Sequence, residues 1–382
     1  MLPEVIMIYS EFCGEKVSLL GLGGMRFPKL ENGKIDRTAV AEMLDTAFEK
    51  GLNYIDTAWP YHDGESELVL GELLEKYPRS SYFLTDKFPG HQHLEDSHPQ
   101  EIFEKQLKKC RTDYFDFYLL HNVAEGTVGV YEDPQWGIID YFLEQKKLGR
   151  IKHLGFSCHG RVPLLKAFLE KHSSEMEFCQ IQFNYVDWTL QNAKEKMEIL
   201  KSFNMPVIVM EPVRGGKLAD DVDSAFRWIQ RFDQVKVVLS GMSNIDQLKQ
   251  NLEIFGERNP LSDSDTEKLL EKAETLKRGV PCTHCEYCKA GCPMQLDIPE
   301  LIAAYNDALF YKSINVSMFL ESMPDDKLPK ACIGCGACAS ICPQQIDIPD
   351  VLKKFAEMPI DSWAEICRQR NEAAKRLEEK QF

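Results

Sequence analysis

The sequence lacks the features of a membrane or secreted protein. No apolar run is long enough to span a bilayer, and the first twelve residues contain Glu4 and Glu11 where a secretory signal has basic residues. Positive charge is also scarce, with 45 lysines and arginines against 60 aspartates and glutamates, a net charge of −15. Since so acidic a surface repels nucleic acids and anionic lipids, we expect a soluble cytoplasmic protein that binds neither nucleic acid nor membrane.

The glycine pattern of an open, dinucleotide-binding sheet is missing too. The glycines of "GLGGMRF" at 21–27 do not match G-x-G-x-x-G. Instead, short apolar runs alternate with amphipathic helical stretches such as 36–50 and 99–110. The eight strand-like runs lie at 17–23, 53–58, 82–87, 115–121, 151–157, 178–184, 207–212 and 235–241. This alternation predicts an α/β fold, a (β/α)8 TIM barrel that covers residues 1–260.

Four ionisable residues fall at or just beyond strand ends, where barrel enzymes carry their chemistry. They are Asp56, Tyr61, Lys87 and His121. Singly, Asp56 would suit a helix cap, Lys87 a solvated charge and His121 a core hydrogen bond. Together they form a proton donor: an ammonium beside a tyrosine lowers the pKa of its hydroxyl, and a carboxylate holds the ammonium in place. The set suits protonation of an oxygen while a hydride reaches its carbon.

These residues resemble the aldo-keto reductase family. The segment "GLNYIDTAWPYHDGESELVLGELL" is similar to the family signature, in which an Asp precedes the active-site Tyr by five residues, and "FLTDK" and "DFYLLH" stand where the family places its Lys and His. The resemblance covers residues 17 to 255. It implies that Tyr61 is the general acid, that Lys87 and Asp56 tune it, that His121 positions the substrate carbonyl, and that NADPH or NADH binds without a Rossmann fold.

The same resemblance identifies candidate cofactor-binding residues after later strands. Ser157 in "GFSCH" and Gln182 in "QFNY" stand where the family binds the nicotinamide carboxamide. "MEPVRGGKL" at 210–218 is similar to the phosphate-binding loop, in which Arg214 adds charge and Gly215 and Gly216 let the backbone approach the pyrophosphate. The adenosine-binding segment is represented by Ser243, Gln247 and Asn251. Ser243 stands where family members that prefer NADP often have a basic residue, so the choice of nucleotide stays open.

The C-terminal third contains two runs of cysteine. The first run has Cys282, Cys285, Cys288 and Cys292, the second Cys332, Cys335, Cys338 and Cys342, and a proline follows each. Both fit C-x2-C-x2-C-x3-C-P, the bacterial ferredoxin pattern. Structural zinc is the alternative, but zinc sites usually combine two well-separated ligand pairs. We therefore predict two 4Fe-4S clusters.

In two-cluster ferredoxins the last cysteine of each run binds the other cluster. Cluster 1 is thus expected on Cys282, Cys285, Cys288 and Cys342, and cluster 2 on Cys332, Cys335, Cys338 and Cys292. The helical spacing between the runs resembles the larger, mainly helical ferredoxin modules. The predicted boundaries are a linker helix at 261–281, a ferredoxin-type domain at 282–360 and a helical tail at 361–382.

The sequence favours an NAD(P)H-dependent oxidoreductase that interconverts a carbonyl and an alcohol, with a small-molecule substrate. The alternative is an electron-transfer enzyme whose clusters exchange single electrons with a flavin or substrate in the barrel, and with a redox partner protein. FMN could use the phosphate-binding loops of a barrel, but the sequence contains no independent flavin motif. A third possibility, a barrel kept as a sensor or partner-binding platform, is disfavoured because a sensor has no need of Tyr61 and Lys87.

Overall fold

The computed structural model describes residues 7–90, 98–216, 218–276, 279–280, 282, 287–310, 314–342 and 346–363, and the single positions 365, 368 and 372. The strands are β1 (Tyr9–Phe12), β2 (Glu15–Ser18), β3 (Leu20–Gly23), β4 (Tyr54–Asp56), β5 (Phe83–Phe88), β6 (Phe115–Val123), β7 (Ile151–Cys158), β8 (Cys179–Gln182), β9 (Val207–Met210) and β10 (Val235–Ser240). Strands β3 to β10 pair in parallel and in chain order, and β10 returns to β3. The predicted closed barrel is confirmed.

Helices cover the outside of the barrel. They are α1 (Arg37–Glu49), α2 (Glu65–Leu74), α3 (Pro99–Lys109), α4 (Val128–Glu132), α5 (Ile138–Lys147), α6 (Val162–His172), α7 (Asp187–Leu190), α8 (Ala193–Ser202), α9 (Val222–Ile229), α10 (Ile245–Ile254) and α11 (Asp263–Leu276). Helix α1 shows why these segments fold locally. The Asp36 side chain accepts hydrogen bonds from the backbone N–H groups of Thr38 and Ala39, and the apolar face at Val40 and Leu44 is fully buried.

The first strand-like run, 17–23, divides into two elements. Residues up to Ser18 form β2, which pairs with β1 in an antiparallel hairpin, and only Leu20–Gly23 joins the barrel. Phe12 and Val17 of the hairpin are buried against Phe117 and Phe178 of the barrel interior. The hairpin closes the N-terminal end of the barrel, so the apolar run has two different burial partners. Sequence periodicity alone does not reveal that division.

The C-terminal module is a small helical unit. Its helices are α12 (Tyr287–Ala290), α13 (Ile298–Phe310), α14 (Ile314–Glu321), α15 (Ala337–Ile341) and α16 (Ile348–Ala356). The core brings Leu301, Leu352 and Phe355 together with cysteines from both runs. The expected linker, 261–281, contains α11, whereas most of the expected tail, 361–382, lies outside the described residues. Among the described residues, no helix has the length and apolar character of a membrane span.

Helices α13 and α14 contact the barrel at the C-terminal ends of its strands. Asn122 of β6 donates from Nδ2 to the sulfur of Met318 at 3.3 Å, and Met318 packs with Ala124 and Trp363. The guanidinium of Arg161, which follows β7, lies 4.0 Å from the ring centre of Phe319. The module is therefore docked at the end of the barrel that carries the candidate catalytic residues.

Candidate active site and cysteine centre

Three of the four predicted catalytic side chains form one hydrogen-bonded group. The Lys87 ammonium, at the end of β5, donates to both carboxylate oxygens of Asp56 at 2.7 Å and lies 3.3 Å from the hydroxyl of Tyr61. It also donates to the carbonyl oxygen of Thr57 at 2.6 Å. Lys87 and Asp56 are almost completely buried. The ammonium is thus fixed by Asp56 on one side and faces the tyrosine on the other.

Burial and charge act in opposite directions on these groups. Burial alone lowers the pKa of Lys87, but Asp56 and Tyr61 outweigh it, so the pKa is raised and the ammonium form is favoured. Burial raises the pKa of Asp56, and Lys87 opposes that rise. For Tyr61, burial raises the pKa to about 12 although Lys87 acts to lower it. Lys87 acts in the predicted direction, but burial outweighs it, so the predicted lowering of the Tyr61 pKa is wrong.

The fourth residue, His121, lies beside the tyrosine. Its ring stands edge-to-face to that of Tyr61, with the ring centres 6.1 Å apart. The Tyr131 hydroxyl of α4 donates a hydrogen bond to the backbone carbonyl of His121 and is itself buried. The structure therefore brings all four predicted residues together at one end of the barrel.

A buried polar network behind Lys87 is absent from the sequence-based prediction. Gln106 of α3 donates from Nε2 to the backbone carbonyl of Lys87 and to Glu67, both at 3.0 Å. Glu67 also accepts from Lys109 at 3.0 Å, and Lys109 lies 3.7 Å from the ring centre of Trp59. The amphipathic period of α3 places Gln106 on the same face as Ile102 and Phe103, but it does not show which groups the buried amide contacts. This network fixes the backbone that carries the ammonium.

The candidate nicotinamide residues lie at the ends of neighbouring strands. Ser157 ends β7 and its hydroxyl accepts from the backbone N–H of Asn122 at 2.7 Å. Gln182 ends β8 and donates from Nε2 to Asp187 at 2.7 Å. Both side chains are buried. They lie at the same edge of the barrel as the tetrad of candidate catalytic residues, Asp56, Tyr61, Lys87 and His121. Each side chain already makes a hydrogen bond to a neighbouring residue.

The candidate phosphate and adenosine residues follow β9 and β10. Gly215 and Gly216 have φ of 63° and 89°, and around Gly216 a Cβ would meet no atom within 4 Å. Ser243 donates from its backbone N–H to Gln247 at 2.8 Å, while Asn251 of α10 donates to Ser240 of β10 at 2.9 Å. The open backbone at Gly216 fits the close approach of a pyrophosphate.

Arg214 differs from the expected exposed charge. Its side chain is fully buried, with Nη2 3.2 Å from Asp187 and 3.5 Å from Asp307 of α13. Burial and the charge of the neighbouring Asp187 together raise the pKa of Asp307 to about 6, although Arg214 acts to lower it. The positive charge in this loop is matched by two carboxylates, one of which belongs to the module.

The cysteine runs converge inside the module. A small cavity is lined by Cys292 of the first run and by Cys332, Cys335 and Cys338 of the second. Its other walls include Leu296, Ile298 and Leu352. Four thiols that share an apolar cavity fit an iron–sulfur cluster, and the grouping is the one expected for cluster 2. Of the cluster 1 set, Cys285 lies outside the described residues; Cys282, Cys288 and Cys342 contribute to the same core.

Another group of ligand-type side chains lies away from these sites. Cys13, His153 and Glu177 each place one ligand atom within 4.8 Å of the others. However, Lys146 binds the Glu177 carboxylate at 2.6 Å, and burial, together with the charge of Glu177, raises the pKa of Cys13 to about 12. A nearby ammonium and a protonated thiol both disfavour a bound cation. We therefore assign this group to the ion pair between Lys146 and Glu177 and not to a metal site.

Comparison with known protein families agrees with this architecture. A model described as "Aldo/keto reductase family" matches residues 19–225, and one described as "4Fe-4S dicluster domain" matches residues 281–348. The first match covers more than half of the 382 residues. The chain therefore belongs to the aldo/keto reductase family, and it is an oxidoreductase with a C-terminal 4Fe-4S domain. Both parts of the sequence-based assignment are confirmed.

Individual relatives are distant. The "Uncharacterized oxidoreductase YqkF" of Bacillus subtilis is 28% identical over 214 residues, 53% of this chain and 63% of that protein. The "NADH-specific methylglyoxal reductase" of Escherichia coli is 24% identical over 307 residues, 65% of this chain and 91% of that protein. The holo form of aldo-keto reductase AKR11C1 from Bacillus halodurans aligns with a TM-score of 0.58 and 25% identity, over 70% of this chain and 96% of that one.

Proposed function

We propose that the protein reduces a small carbonyl compound to an alcohol with NADPH or NADH, and catalyses the reverse oxidation. The observation that carries this proposal is the bond between the buried Lys87 ammonium and Asp56, with the Tyr61 hydroxyl 3.3 Å away. The methylglyoxal reductase of E. coli and the "NADPH-dependent alpha-keto amide reductase" of Saccharomyces cerevisiae support a carbonyl substrate. Because the first is NADH-specific, the relatives leave both nucleotides as candidates.

When bound, a reduced nicotinamide would supply the hydride for the carbonyl carbon. Tyr61 donates its proton to the carbonyl oxygen as negative charge develops there. Its pKa of about 12 keeps the hydroxyl protonated until that moment. Lys87 then stabilises the phenolate through the 3.3 Å contact, and Asp56 holds the ammonium in place. His121, beside the tyrosine ring, orients the carbonyl oxygen.

The nucleotide is proposed to follow the strand ends from β7 to β10. Ser157 and Gln182 would hold the carboxamide, and Gly215 and Gly216 would face the pyrophosphate. The adenosine would reach the segment between Ser243 and Asn251. The open backbone around Gly216 and the common edge of these strands support this path.

The experiment measures oxidation of NADH and of NADPH by the anaerobically purified protein with a series of small aldehydes and ketones. We expect turnover with at least one pair, and a loss of about 100- to 10,000-fold in kcat for Tyr61→Phe. The variant keeps the ring and removes only the proton donor. Nucleotide affinity and iron content serve as controls and should not change. Full activity of Tyr61→Phe would refute the proposal.

A second candidate is electron exchange between the clusters and the barrel. It is favoured by the position of the module, since Met318 contacts Asn122 next to His121. We propose two clusters, on the cysteine sets given above, which pass single electrons to a redox partner or to the barrel. Addition of NADH or NADPH without carbonyl substrate tests this by electron paramagnetic resonance. A reduced-cluster signal supports exchange between the nicotinamide and the clusters. Silence in protein whose clusters dithionite reduces rules out that exchange and leaves clusters that stabilise the module, sense or serve a partner protein.

A further inference from the structure

A buried ionic network joins the module to the loop proposed for the pyrophosphate. The Arg214 guanidinium lies between Asp187 and Asp307, at 3.2 Å and 3.5 Å, and its side chain has no exposed surface. Asp187 begins α7 of the barrel, whereas Asp307 is on α13 of the module. Gln191 also donates to Asp307, at 3.3 Å. The module thus contributes a carboxylate that pairs with Arg214 in a loop of the barrel.

The network extends to the first residue and the centre of the loop at 211–216. Asp187 accepts hydrogen bonds from Gln182 and from Asn184, at 2.7 Å and 2.5 Å. Asn184 also donates to the backbone carbonyl of Glu211 at 3.0 Å. The same group of side chains therefore holds the candidate carboxamide residue, the first residue of the loop and its central arginine.

The loop backbone needs such support. Glu211 and Arg214 have φ of 54° and 47°, a left-handed conformation that is unfavourable for residues other than glycine. Surrounding contacts must hold such residues in place. The Arg214 guanidinium is paired with Asp187 of the barrel and with Asp307 of the module. Without Asp307, the loop would lose the ionic contact that the module provides to Arg214.

Helix α13 also contacts the first cysteine run. Asn306, the neighbour of Asp307, accepts from the backbone N–H of Val280 at 2.7 Å and donates to its carbonyl at 2.9 Å. Val280 lies two residues before Cys282. Consecutive residues of one helix therefore bind the segment that leads into the cysteines and the loop that faces the nucleotide.

We propose that Asp307 is a positioning residue for nucleotide binding: it holds Arg214 and thereby keeps the loop at 211–216 in the conformation that accepts the pyrophosphate while the module is docked. This inference rests on the proposed nicotinamide-dependent function. It makes nucleotide affinity a property of the whole chain, although the residues that touch the nucleotide belong to the barrel.

The test compares Asp307→Ala and Asp307→Asn with the wild type, as full-length protein with its clusters. Affinity for NADH and NADPH is measured by titration calorimetry. We expect Kd to rise about tenfold for Asp307→Ala, which corresponds to about 1.4 kcal/mol. The KM for the nucleotide should rise in parallel, while kcat and the KM for the carbonyl stay within about twofold. Asp307→Asn keeps the shape of the side chain and removes its charge. If the alanine variant does not fold, the nucleotide affinity of the asparagine variant decides the test.

The matched control is Glu300→Gln on the same helix. Glu300 pairs with Arg161 of the barrel, so the change removes an ion pair across the same interface and leaves Asp307 and Arg214 in place. Its nucleotide affinity should equal that of the wild type. Equal losses in Glu300→Gln and Asp307→Asn would overturn the inference, because docking in general would then be responsible.

Two further outcomes are decisive. Unchanged affinity in both Asp307 variants refutes the positioning role, and tighter binding refutes it too, because Asp307 would then only mask the charge of Arg214. If the wild type binds neither nucleotide, the proposed function itself fails. Tyr61→Phe separates the two questions, since it should bind nucleotide normally without turnover.

Discussion

The barrel and the module stabilise their interiors in different ways. Every residue of β6 is buried, and the barrel core is formed by the chain's own apolar side chains. In the module, Cys288 and Cys338 belong to the core, and the helices that carry them, α12 and α15, have only four and five residues. Helices this short are not stable alone. We therefore expect the barrel to fold by itself and the module to need the clusters that its cysteines bind.

The two parts also differ in how they use charge. The barrel buries ammonium groups and carboxylates as pairs, such as Lys87 with Asp56 and Lys109 with Glu67. At the interface the pairing crosses from one part to the other, through Arg214 and Asp307. Removal of one member of a buried pair leaves an uncompensated charge, which is more costly than removal of both. The following experiments use this difference, in order of decreasing expected effect.

The largest effect is expected for Lys87→Met, which leaves the Asp56 carboxylate buried without its cation. Turnover should fall about 100- to 10,000-fold because the phenolate of Tyr61 loses its stabilising charge. The free energy of unfolding of the barrel should fall by about 3–5 kcal/mol. Denaturant unfolding and steady-state kinetics measure the two effects. The double variant Asp56→Asn/Lys87→Met should recover stability and remain inactive; recovery of activity would contradict the assigned roles.

The second prediction concerns the module alone. Cys338→Ser removes a buried thiol of the cysteine-lined cavity, so we expect iron loss and rapid proteolysis of the module while the barrel stays folded. The measurements are iron per chain and limited proteolysis. Cys110→Ser is the control, because Cys110 is buried in the barrel and lies outside both cysteine runs. Equal iron content in the two variants would argue against the cluster assignment.

A third prediction concerns pH and the docked interface. Burial, with a further effect of Lys196, lowers the pKa of His159 to about 4, and Nδ2 of Asn315 lies 3.1 Å from its Nδ1. Because the unfolded state binds the proton more readily, this contribution to stability is complete above about pH 6.5 and is lost as pH falls toward 4.

The loss should reach at most about 3 kcal/mol. Thermal unfolding between pH 4 and 7 measures it, and His159→Gln should reduce the pH dependence. His62, whose pKa burial also lowers to about 4, contributes in the same range and remains in that variant. An identical pH profile in wild type and His159→Gln would exclude His159 as a cause.

The smallest effect is expected for Gly71→Ala in α2. A Cβ at this position would lie 2.1 Å from the backbone carbonyl of Lys109, so α2 and α3 would have to separate. We expect a loss of about 1–3 kcal/mol in barrel stability. Gly129→Ala is the control, because a Cβ there meets no atom within 4 Å. The module should not respond to either change, and a loss of iron in Gly71→Ala would show that the two parts are more tightly coupled.

The sequence predicts the barrel well because each of its strands is buried on both sides and is therefore a continuous apolar run. It also predicts the tetrad, since Asp56, Lys87 and His121 fall at or near strand ends and parallel strands end at one edge. The structure adds that burial, which depends on the assembled loops, raises the pKa of Tyr61 more than Lys87 lowers it. No local pattern reports that balance.

The sequence by itself therefore determined the alternation of strands and helices, the order of the candidate catalytic residues and the spacing of the cysteines, because all of these are local properties of the chain. Only the tertiary structure decided that residues 17 and 18 of the first apolar run belong to a hairpin, and that Gln106 supports Lys87. It also decided that Asp307 meets Arg214, which is 93 residues away in the chain. Such contacts form only when segments that are distant in the chain pack against each other. Burial then requires a charged side chain to lie beside one of opposite charge.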